Sequence, residues 1–374
     1  AQNVLADAYF NLEIDQSGTK TAQGAVNVAG TLTVQSTGTP IYDIAATTTT
    51  VSGTSTISGT LNINGSGVYD GNGDFAATGA ITMDGTARLQ LSAAGAGVSN
   101  LGTLDDAAGT VAYDGGGQDV LADDYFNLVV DQSGNKTAQG TINVNGDFTA
   151  DNSAVYKPST FGTFVTGATA FNNGAELSFA SGASGVFDAN GTFSDGVNIT
   201  FHPSNGGNLR IQQSPNSFGT FTNNGTVRYD GGTQNIIATD YWSLSIRESG
   251  VKTAAGNINI ENNLTVTASS IFDISSRTID VNGITTINST LRIGASGVFD
   301  ADGEFDASSG IVAFTGAGNL NLSNTVTGIG TFIKNTGTVT YDEVDSQTII
   351  DVNYYHLVID QNATKTAANN LDID

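Results

Sequence analysis

The sequence predicts an all-β protein, with a parallel β-helix (β-solenoid) built from repeats of about 115 residues as the favoured architecture. Three observations lead to this prediction: an internal repeat, short runs in which apolar and polar residues alternate, and turn-forming residues between those runs. Tandem β-sandwich domains, one for each repeat, are the alternative.

The repeat consists of four copies of one segment, and the second copy reads QDVLADDYFNLVVDQSGNKTAQGTINV. Every copy begins with a glutamine: Gln2, Gln118, Gln234 and Gln347. Three copies follow a lead segment of the pattern GTVxYD, which starts at Gly109, Gly225 and Gly337. Self-similarity at this fixed spacing indicates a repeat architecture.

These copies divide the chain into four parts. They are repeat 1 (1–108), repeat 2 (109–224), repeat 3 (225–336) and a partial repeat 4 (337–374). Repeat 1 has no lead segment and repeat 4 stops early, so the two ends are out of phase. We expect either a window from a longer repetitive protein or, in repeat 4, an element with a role in assembly.

Within the repeats, residues alternate with the period of two that strands require. Phe10, Leu12 and Ile14 are separated by polar residues. Pairs such as Asn64-Gly65 supply turns between the runs. The length of one repeat suits a sandwich, but plentiful Asn, Gly, Thr and Ser suit the tight corners of a solenoid. A solenoid repeat would have about five coils of roughly 20–25 residues, stacked about 4.8 Å apart.

The charge balance excludes several classes of protein. Asp and Glu number 36 against 12 Lys and Arg, which gives a formal net charge of −24. We therefore expect no binding to nucleic acid, and no apolar run approaches the roughly 18 residues of a membrane span. The absence of cysteine excludes disulfides, thiol nucleophiles and cysteine-based metal sites.

Several short motifs carry a family resemblance. The runs GTLTV (Gly30 to Val34) and NLTV (Asn263 to Val266), with GTVxYDGG and Y-[FWY]-x-L before T-K-T-A, resemble repetitive secreted bacterial surface proteins. These are the filamentous-haemagglutinin-like and autotransporter-like β-helix adhesins and fibre proteins. The resemblance implies an extracellular or cell-surface location and a role in adhesion or matrix building. It carries no catalytic residues over.

A tyrosine and a lysine recur in all four copies. The tyrosines are Tyr9, Tyr125, Tyr241 and Tyr354, which we expect to pack in the core or between coils. The lysines are Lys20, Lys136, Lys252 and Lys365, and in three copies an aspartate lies five residues upstream: Asp15, Asp131 and Asp360. This spacing predicts a repeat-invariant ion pair, either local or between neighbouring coils or subunits. An isopeptide bond is a further alternative that nothing in the sequence demands.

Acidic segments in the middle of the repeats are candidate metal ligands. Oxygen-bearing side chains occupy alternate positions, as Ca²⁺ sites require: Asp70, Asn72, Asp74, Asp188, Asn190, Asp300, Asp302, Glu304 and Asp306. The alternative is a turn in which Asp and Asn bond their own backbone. We expect no required cofactor, with Ca²⁺ as a candidate ligand.

These features favour a structural role over catalysis. They predict a non-enzymatic subunit of an extracellular bacterial fibre, sheath or matrix, which assembles with copies of itself by strand or end-to-end β pairing. Repeat 4 would add strands to a neighbour through six residues: Gln347, Ile349, Tyr354, Leu357, Ile359 and Lys365.

Two other functions compete with this prediction. An adhesin or carbohydrate-binding rod would contact glycans or neighbouring cells through exposed aromatic residues: Tyr9, Phe10, Trp242, Tyr354 and Tyr355. A polysaccharide-degrading β-helix enzyme would need a groove of charged side chains that breaks the repeat symmetry, and the sequence shows no such break.

Overall fold

The structure is a computed structural model of the 374-residue chain. It describes residues 1–105, 107–179, 184–201, 206–222, 224–267 and 269–374. These residues form strands and turns and contain no helix. Accordingly, the described ranges offer no helix long and apolar enough to span a membrane. The chain forms two compact units, Ala1–Thr200 and Phe201–Asp374, and their boundary falls inside repeat 2.

Short strands make up the first unit. They are Gln2–Val4, Ala8–Tyr9, Leu12–Ile14, Gly18–Ala22, Val26–Val28, Leu32–Val34, Pro40–Asp43, Thr48–Val51, Ser55–Ile57, Thr60–Ile63, Val68–Gly71, Phe75–Met83, Arg88–Leu91, Val98–Leu104, Thr110–Tyr113, Gln118–Val120, Asp124–Tyr125, Asn127–Val130, Gly134–Ala138, Ile142–Val144, Phe148–Ala150, Ala154–Lys157, Gly162–Val165, Thr169–Phe171, Glu176–Ser178, Val186–Thr192 and Val197–Thr200.

The second unit is built from strands of the same kind. They are Asn208–Gln213, Phe218–Thr222, Thr226–Tyr229, Gln234–Ile236, Ser243–Ile246, Gly250–Ala254, Ile258–Ile260, Leu264–Val266, Ser270–Asp273, Thr278–Val281, Thr285–Ile287, Thr290–Ile293, Val298–Ala301, Phe305–Asp306, Ile311–Phe314, Asn319–Leu322, Val326–Gly328, Thr331–Ile333, Thr338–Tyr341, Gln347–Ile349, Asn353–Tyr354, His356–Ile359, Lys365–Ala367 and Asp372–Ile373.

Strand pairing within each unit is parallel, and each strand pairs with the strand one turn further along the chain. Leu12 is the register partner of Leu32, and Leu32 is the register partner of Ser55. The chain therefore winds into stacked turns, which confirms the predicted β-solenoid. It excludes the β-sandwich alternative, whose sheets are antiparallel.

Alternation along each strand places every second side chain inside the solenoid. In the first unit Tyr69, Leu89, Val111 and Leu128 follow one another in register on successive turns. All four are fully buried. Such in-register apolar columns fill the interior, and the polar residues between them face solvent.

Some corners leave no room for a side chain. Gly30, Gly53 and Gly73 lie above one another on successive turns of the first unit. A Cβ atom on Gly53 would lie 2.3 Å from the carbonyl oxygen of Gly30, and a Cβ atom on Gly73 would lie 2.4 Å from that of Gly53. The abundance of glycine thus has a steric cause, since main chains of adjacent turns touch here.

Candidate functional site: a repeated polar corner

Polar side chains from four strands lie at one corner of the solenoid. In repeat 2 they are Tyr113 from the lead segment, Gln118, Tyr125 and Lys136, and all four are buried. Gln118 is the register partner of Lys136 on the adjacent parallel strand. We call this set, and the equivalent residues of the other repeats, the polar corner.

The two tyrosines close a turn of main chain. Their hydroxyl oxygens are 3.1 Å apart, Tyr125 Oη donates to the carbonyl of Leu121 at 2.7 Å, and the Leu121 amide donates to Tyr113 Oη at 3.3 Å. Burial raises the pKa of Tyr113 to about 12 and that of Tyr125 well above its ordinary value. Both hydroxyls therefore stay protonated and act as hydrogen-bonding groups at neutral pH.

Other repeats contain the same tyrosine pair. Tyr229 and Tyr241 bring their hydroxyls to 2.9 Å in repeat 3, and Tyr341 and Tyr354 to 3.0 Å in repeat 4. The predicted core packing is thus confirmed for Tyr125, Tyr241 and Tyr354, whereas Tyr9 is only half-buried. The lead-segment tyrosine as its partner was not predicted, although its fixed place in GTVxYD was the available signal.

Gln118 bonds main-chain groups of its own turn and of the preceding turn. Its Nε2 donates to the carbonyls of Leu91 at 2.8 Å and Ala93 at 2.9 Å, and its Oε1 accepts from the Gly115 amide at 2.8 Å. Gln234 bonds in the same manner to Ile211 and Gly231. Sequence reasoning used these glutamines only to mark the start of each copy and missed their role.

The recurring lysine binds main-chain carbonyls, not a carboxylate. Lys136 Nζ donates to Gly115 at 2.8 Å, Gly116 at 2.9 Å and Gln132 at 3.1 Å. Burial lowers the pKa of Lys136 to about 8, against the opposing charges of Asp131 and Asp114. The three hydrogen-bond donors of the ammonium group are thus all used by main-chain carbonyls of the polar corner.

The predicted ion pair does not form within the described part of the chain, and a pair between subunits stays a prediction. Lys20, Lys252 and Lys365 also donate to carbonyls, and none of the four lysines forms a salt bridge with Asp15, Asp131 or Asp360 within the described residues. Asp131 Oδ1 instead accepts from the Gln132 amide at 2.6 Å and Asn152 Nδ2 at 2.7 Å. A carbonyl cage avoids the cost of burying a carboxylate with the ammonium.

A left-handed bend explains why carbonyls are available to the lysine. In each copy the residue four positions before the lysine has a positive φ: Gln16 (59°), Gln132 (65°), Glu248 (59°) and Gln361 (65°). A side-chain-bearing residue adopts this conformation at a cost of about 1–3 kcal/mol. In three copies the lysine bonds the carbonyl of this very residue, so it holds the strained bend in place.

The candidate calcium ligands lie partly in strands and partly between them: Asn72, Asp74, Asp302 and Glu304 fall between strands. Asp70, Asp188 and Asp300 lie inside Val68–Gly71, Val186–Thr192 and Val298–Ala301, not in turns. Two later residues bond hydroxyl groups: Glu304 Oε1 accepts from Thr327 Oγ1, which lies 23 residues further along the chain, and Asp306 Oδ1 accepts from Ser308 Oγ. In the described part of the chain no three His, Cys, Asp or Glu side chains are arranged to hold a metal ion.

The aromatic residues expected to contact glycans differ in their exposure to solvent. Phe10 is 78% exposed and Trp242 is 40% exposed, and both occupy the position directly after the recurring tyrosine. Tyr9 and Tyr355 are half-buried. Tyr354 is completely buried, because it belongs to a polar corner, and cannot serve as a platform.

Repeat 4 forms part of the second unit and pairs with strands of that unit. His356–Ile359 pairs with Thr338–Tyr341, and Gln347–Ile349 pairs with Lys365–Ala367. Gln347, Ile349 and Tyr354 are buried there. Gln347, Ile349 and Tyr354 therefore make contacts within the chain, and their role in strand addition to a neighbour stays a prediction.

The fold and the polar corner define the protein as a β-solenoid repeat protein. Comparison with known proteins finds no matching family model, no matching curated protein and no matching solved structure. The solenoid shape alone identifies no family.

Proposed function

We propose that this chain is a structural subunit of an extracellular bacterial fibre, sheath or matrix, which assembles with copies of itself by β pairing. One observation carries the proposal: the recurring tyrosines and lysines, and the glutamines of repeats 2 to 4, bind the solenoid's own main chain. The polar corner uses its lysine, glutamine and tyrosine hydroxyls to hold bends and turns. The recurring residues thus serve the fold of each repeat, as expected of a structural subunit.

Repeat 4 carries two isoleucines that are exposed in the described chain. Ile359 is 48% exposed and Ile373 is 52% exposed, whereas Ile246 and Ile260, at the same positions of repeat 3, are completely buried. Edge strands also present unpaired main-chain groups that template further strands. A second copy stacked here would bury both isoleucines and pair those groups.

Electron microscopy and sedimentation of the purified chain test the proposal. We expect filaments of uniform width whose amount grows with protein concentration, and we expect Ile359→Asp to abolish them. Ile284→Asp is the matched control, because Ile284 is 46% exposed and its substitution should leave filaments intact. A chain that stays monomeric at all concentrations, with calcium and with a chelator, would contradict the proposal.

An adhesin is the second candidate, and the exposure of Phe10 and Trp242 favours it. Aromatic faces in this position can stack on sugar rings, and the acidic chain does not repel sugars that carry no charge. A glycan array probed with the wild type, Phe10→Ala and Trp242→Ala separates the candidates. Binding that both variants lose, with Phe161→Ala as the control, would support the adhesin; no binding alongside filaments would support the structural subunit.

A further inference from the structure

We propose that a cavity in the second unit, beside the strand Gln234–Ile236, binds an uncharged sugar. The cavity measures about 390 Å³, within the range of roughly 300–1,000 Å³ that is typical of small-molecule sites. Its lining includes Gln213, Ser214, Pro215, Gln234, Asn235 and Ile237. The site goes beyond the proposed structural role, because it serves a ligand and not the fold.

The polar corner of repeat 2 shows how the equivalent space is closed. There Gly95, from the preceding turn, bridges to the edge of the strand Gln118–Val120. The Gly95 amide donates to the carbonyl of Gly117 at 2.6 Å, and the Gly95 carbonyl accepts from the amide of Asp119 at 2.9 Å. These two hydrogen bonds cover the edge of the strand.

In the corner of repeat 3 a proline stands at the position of that glycine. Leu91 and Ile211 are equivalent, because each is the register partner of the tyrosine of the following lead segment. Gly95 follows Leu91 by four residues, and Pro215 follows Ile211 by four residues. Proline has no amide hydrogen. The bond that Gly95 donates to the strand edge is therefore lost in repeat 3.

The proline leaves the edge of Gln234–Ile236 open. In the described part of the chain this strand pairs with Gly250–Ala254 alone, and no residue on its other side accepts from the Asn235 amide. The carbonyl of Thr233, the equivalent of the Gly117 carbonyl, receives no donor from Pro215. The strand edge thus offers the cavity one main-chain donor and one main-chain acceptor.

Gln234 holds one wall of the cavity in place. It is buried, and its Nε2 donates to the carbonyl of Ile211 at 3.0 Å and to Ser214 Oγ at 3.2 Å. Its Oε1 accepts from the Gly231 amide at 2.7 Å. The hydroxyl of Ser214 is therefore fixed at the cavity before any ligand arrives, which lowers the entropic cost of binding.

The chemistry of the lining matches a neutral sugar. Gln213 and Asn235 have exposed amide side chains, which both donate and accept hydrogen bonds as sugar hydroxyls require. Pro215 and Ile237 add buried apolar surface for the carbon-bound hydrogens of a sugar ring. None of the described residues that line the cavity is charged. An anionic ligand would be repelled, because the chain has a formal net charge of −24.

A peptide strand fits the same edge less well. Strand addition draws its affinity from main-chain hydrogen bonds, and Gln234–Ile236 is only 3 residues long. The other polar groups of the lining belong to side chains, which suits a ligand with hydroxyl groups. The observations therefore favour a sugar over a peptide.

Saturation-transfer NMR of the full-length chain tests the site. The probes are glucose, galactose, mannose and N-acetylglucosamine, with glucuronate as an anionic counterpart. We expect saturable binding of a neutral sugar, and binding of glucuronate at least fivefold weaker at low salt. Gln213→Ala and Asn235→Ala should each weaken binding about fivefold, the effect of one lost hydrogen bond. Asn172→Ala, at an exposed asparagine outside the cavity, is the control and should leave binding unchanged.

Pro215→Gly is the sharpest variant, because it restores the amide that repeat 2 has at this position. We expect it to close the cavity, to abolish sugar binding and to slow hydrogen exchange of the Asn235 amide, which gains an acceptor. Gln213→Ala and Asn235→Ala, which replace exposed side chains, keep the proposal testable if Pro215→Gly fails to fold.

Three results would overturn the sugar site. They are the absence of saturable binding of every neutral sugar to the wild type, binding that neither Gln213→Ala nor Asn235→Ala weakens, and glucuronate binding as tight as that of the neutral sugar. The peptide AAGAG, residues 93–97, is a further probe, and its binding without sugar binding would assign the edge to a strand instead. Saturation transfer works on monomers and filaments alike, so the sugar site and the fibre function can fail separately.

Discussion

Gln118 and Lys136 lie one above the other on neighbouring parallel strands, and both hold the same residue, Gly115. The Gly115 amide donates to Gln118 Oε1, and its carbonyl accepts from Lys136 Nζ. A bend between strands leaves main-chain groups that no strand neighbour can satisfy, and buried groups of this kind require partners. Two side chains one turn apart supply them, Gln118 for the amide and Lys136 for the carbonyl.

Removal of the buried ammonium should destabilise the solenoid. Lys136→Met leaves the carbonyls of Gly115, Gly116 and Gln132 without their donor, and we expect the free energy of unfolding to fall by about 1–3 kcal/mol. Lys157→Met, at a half-exposed lysine, is the control and should change it by less than about 0.5 kcal/mol. Urea unfolding at pH 7 measures both, and equal losses would contradict the role assigned to Lys136.

The sequence was sufficient to predict the fold but not the contacts of the corner. Alternation at Leu12 and Ile14 and the fixed repeat spacing indicate stacked strands, because both follow from the geometry of a strand and a turn. Phe10, grouped with them by the same pattern, lies before the strand and is 78% exposed. The partner of Lys136 was predicted wrongly because a spacing of five residues says nothing about the left-handed bend at Gln132. That bend turns a carbonyl toward the ammonium and leaves Asp131 outside.

The hydroxyl of Tyr125, which belongs to the tyrosine pair of repeat 2, should contribute more stability than the hydroxyl of Tyr9, its equivalent in repeat 1. Tyr125→Phe removes the hydroxyl that donates to Leu121 and meets Tyr113, with an expected loss of about 0.5–1.5 kcal/mol in the free energy of unfolding. Tyr9→Phe is a matched control, because its hydroxyl makes one exposed bond to Leu5. Thermal and urea unfolding of the two variants should separate them, and a larger loss for Tyr9→Phe would refute this ranking.

Glycines of the corners should differ sharply in their tolerance of a methyl group. Gly53→Ala places a Cβ atom 2.3 Å from the Gly30 carbonyl oxygen, so adjacent turns must separate, at an expected cost of about 1–3 kcal/mol. Gly116 has nothing within 4 Å of such an atom. Gly116→Ala should therefore be neutral or should stabilise by up to about 1 kcal/mol through the unfolded chain. Melting temperatures compare the two, and similar shifts would contradict the steric explanation.

Asp280 and Asp300 should make the stability of the second unit depend on pH. They are register partners on adjacent strands, and within the described residues Asp280 Oδ1 is buried without a hydrogen-bond partner. Burial, with the nearby charge of Asp302, raises the pKa of both carboxyl groups above their ordinary value of 3.8. The folded state therefore binds protons more tightly than the unfolded state, and stability falls as pH rises from about 3.8 through the raised pKa values.

Replacement of either carboxylate should reverse that loss. We expect Asp300→Asn to raise the free energy of unfolding at pH 7 by about 0.2–1 kcal/mol, because like charges on directly opposed strand positions repel. The gain should vanish below about pH 3.8, where wild-type carboxyl groups are protonated, and should shrink in 1 M salt. Asp372→Asn, at an exposed aspartate, is the control and should show no gain. Urea unfolding across this pH range decides the matter: a gain that persists in acid would show that the substitution acts through packing and not through charge.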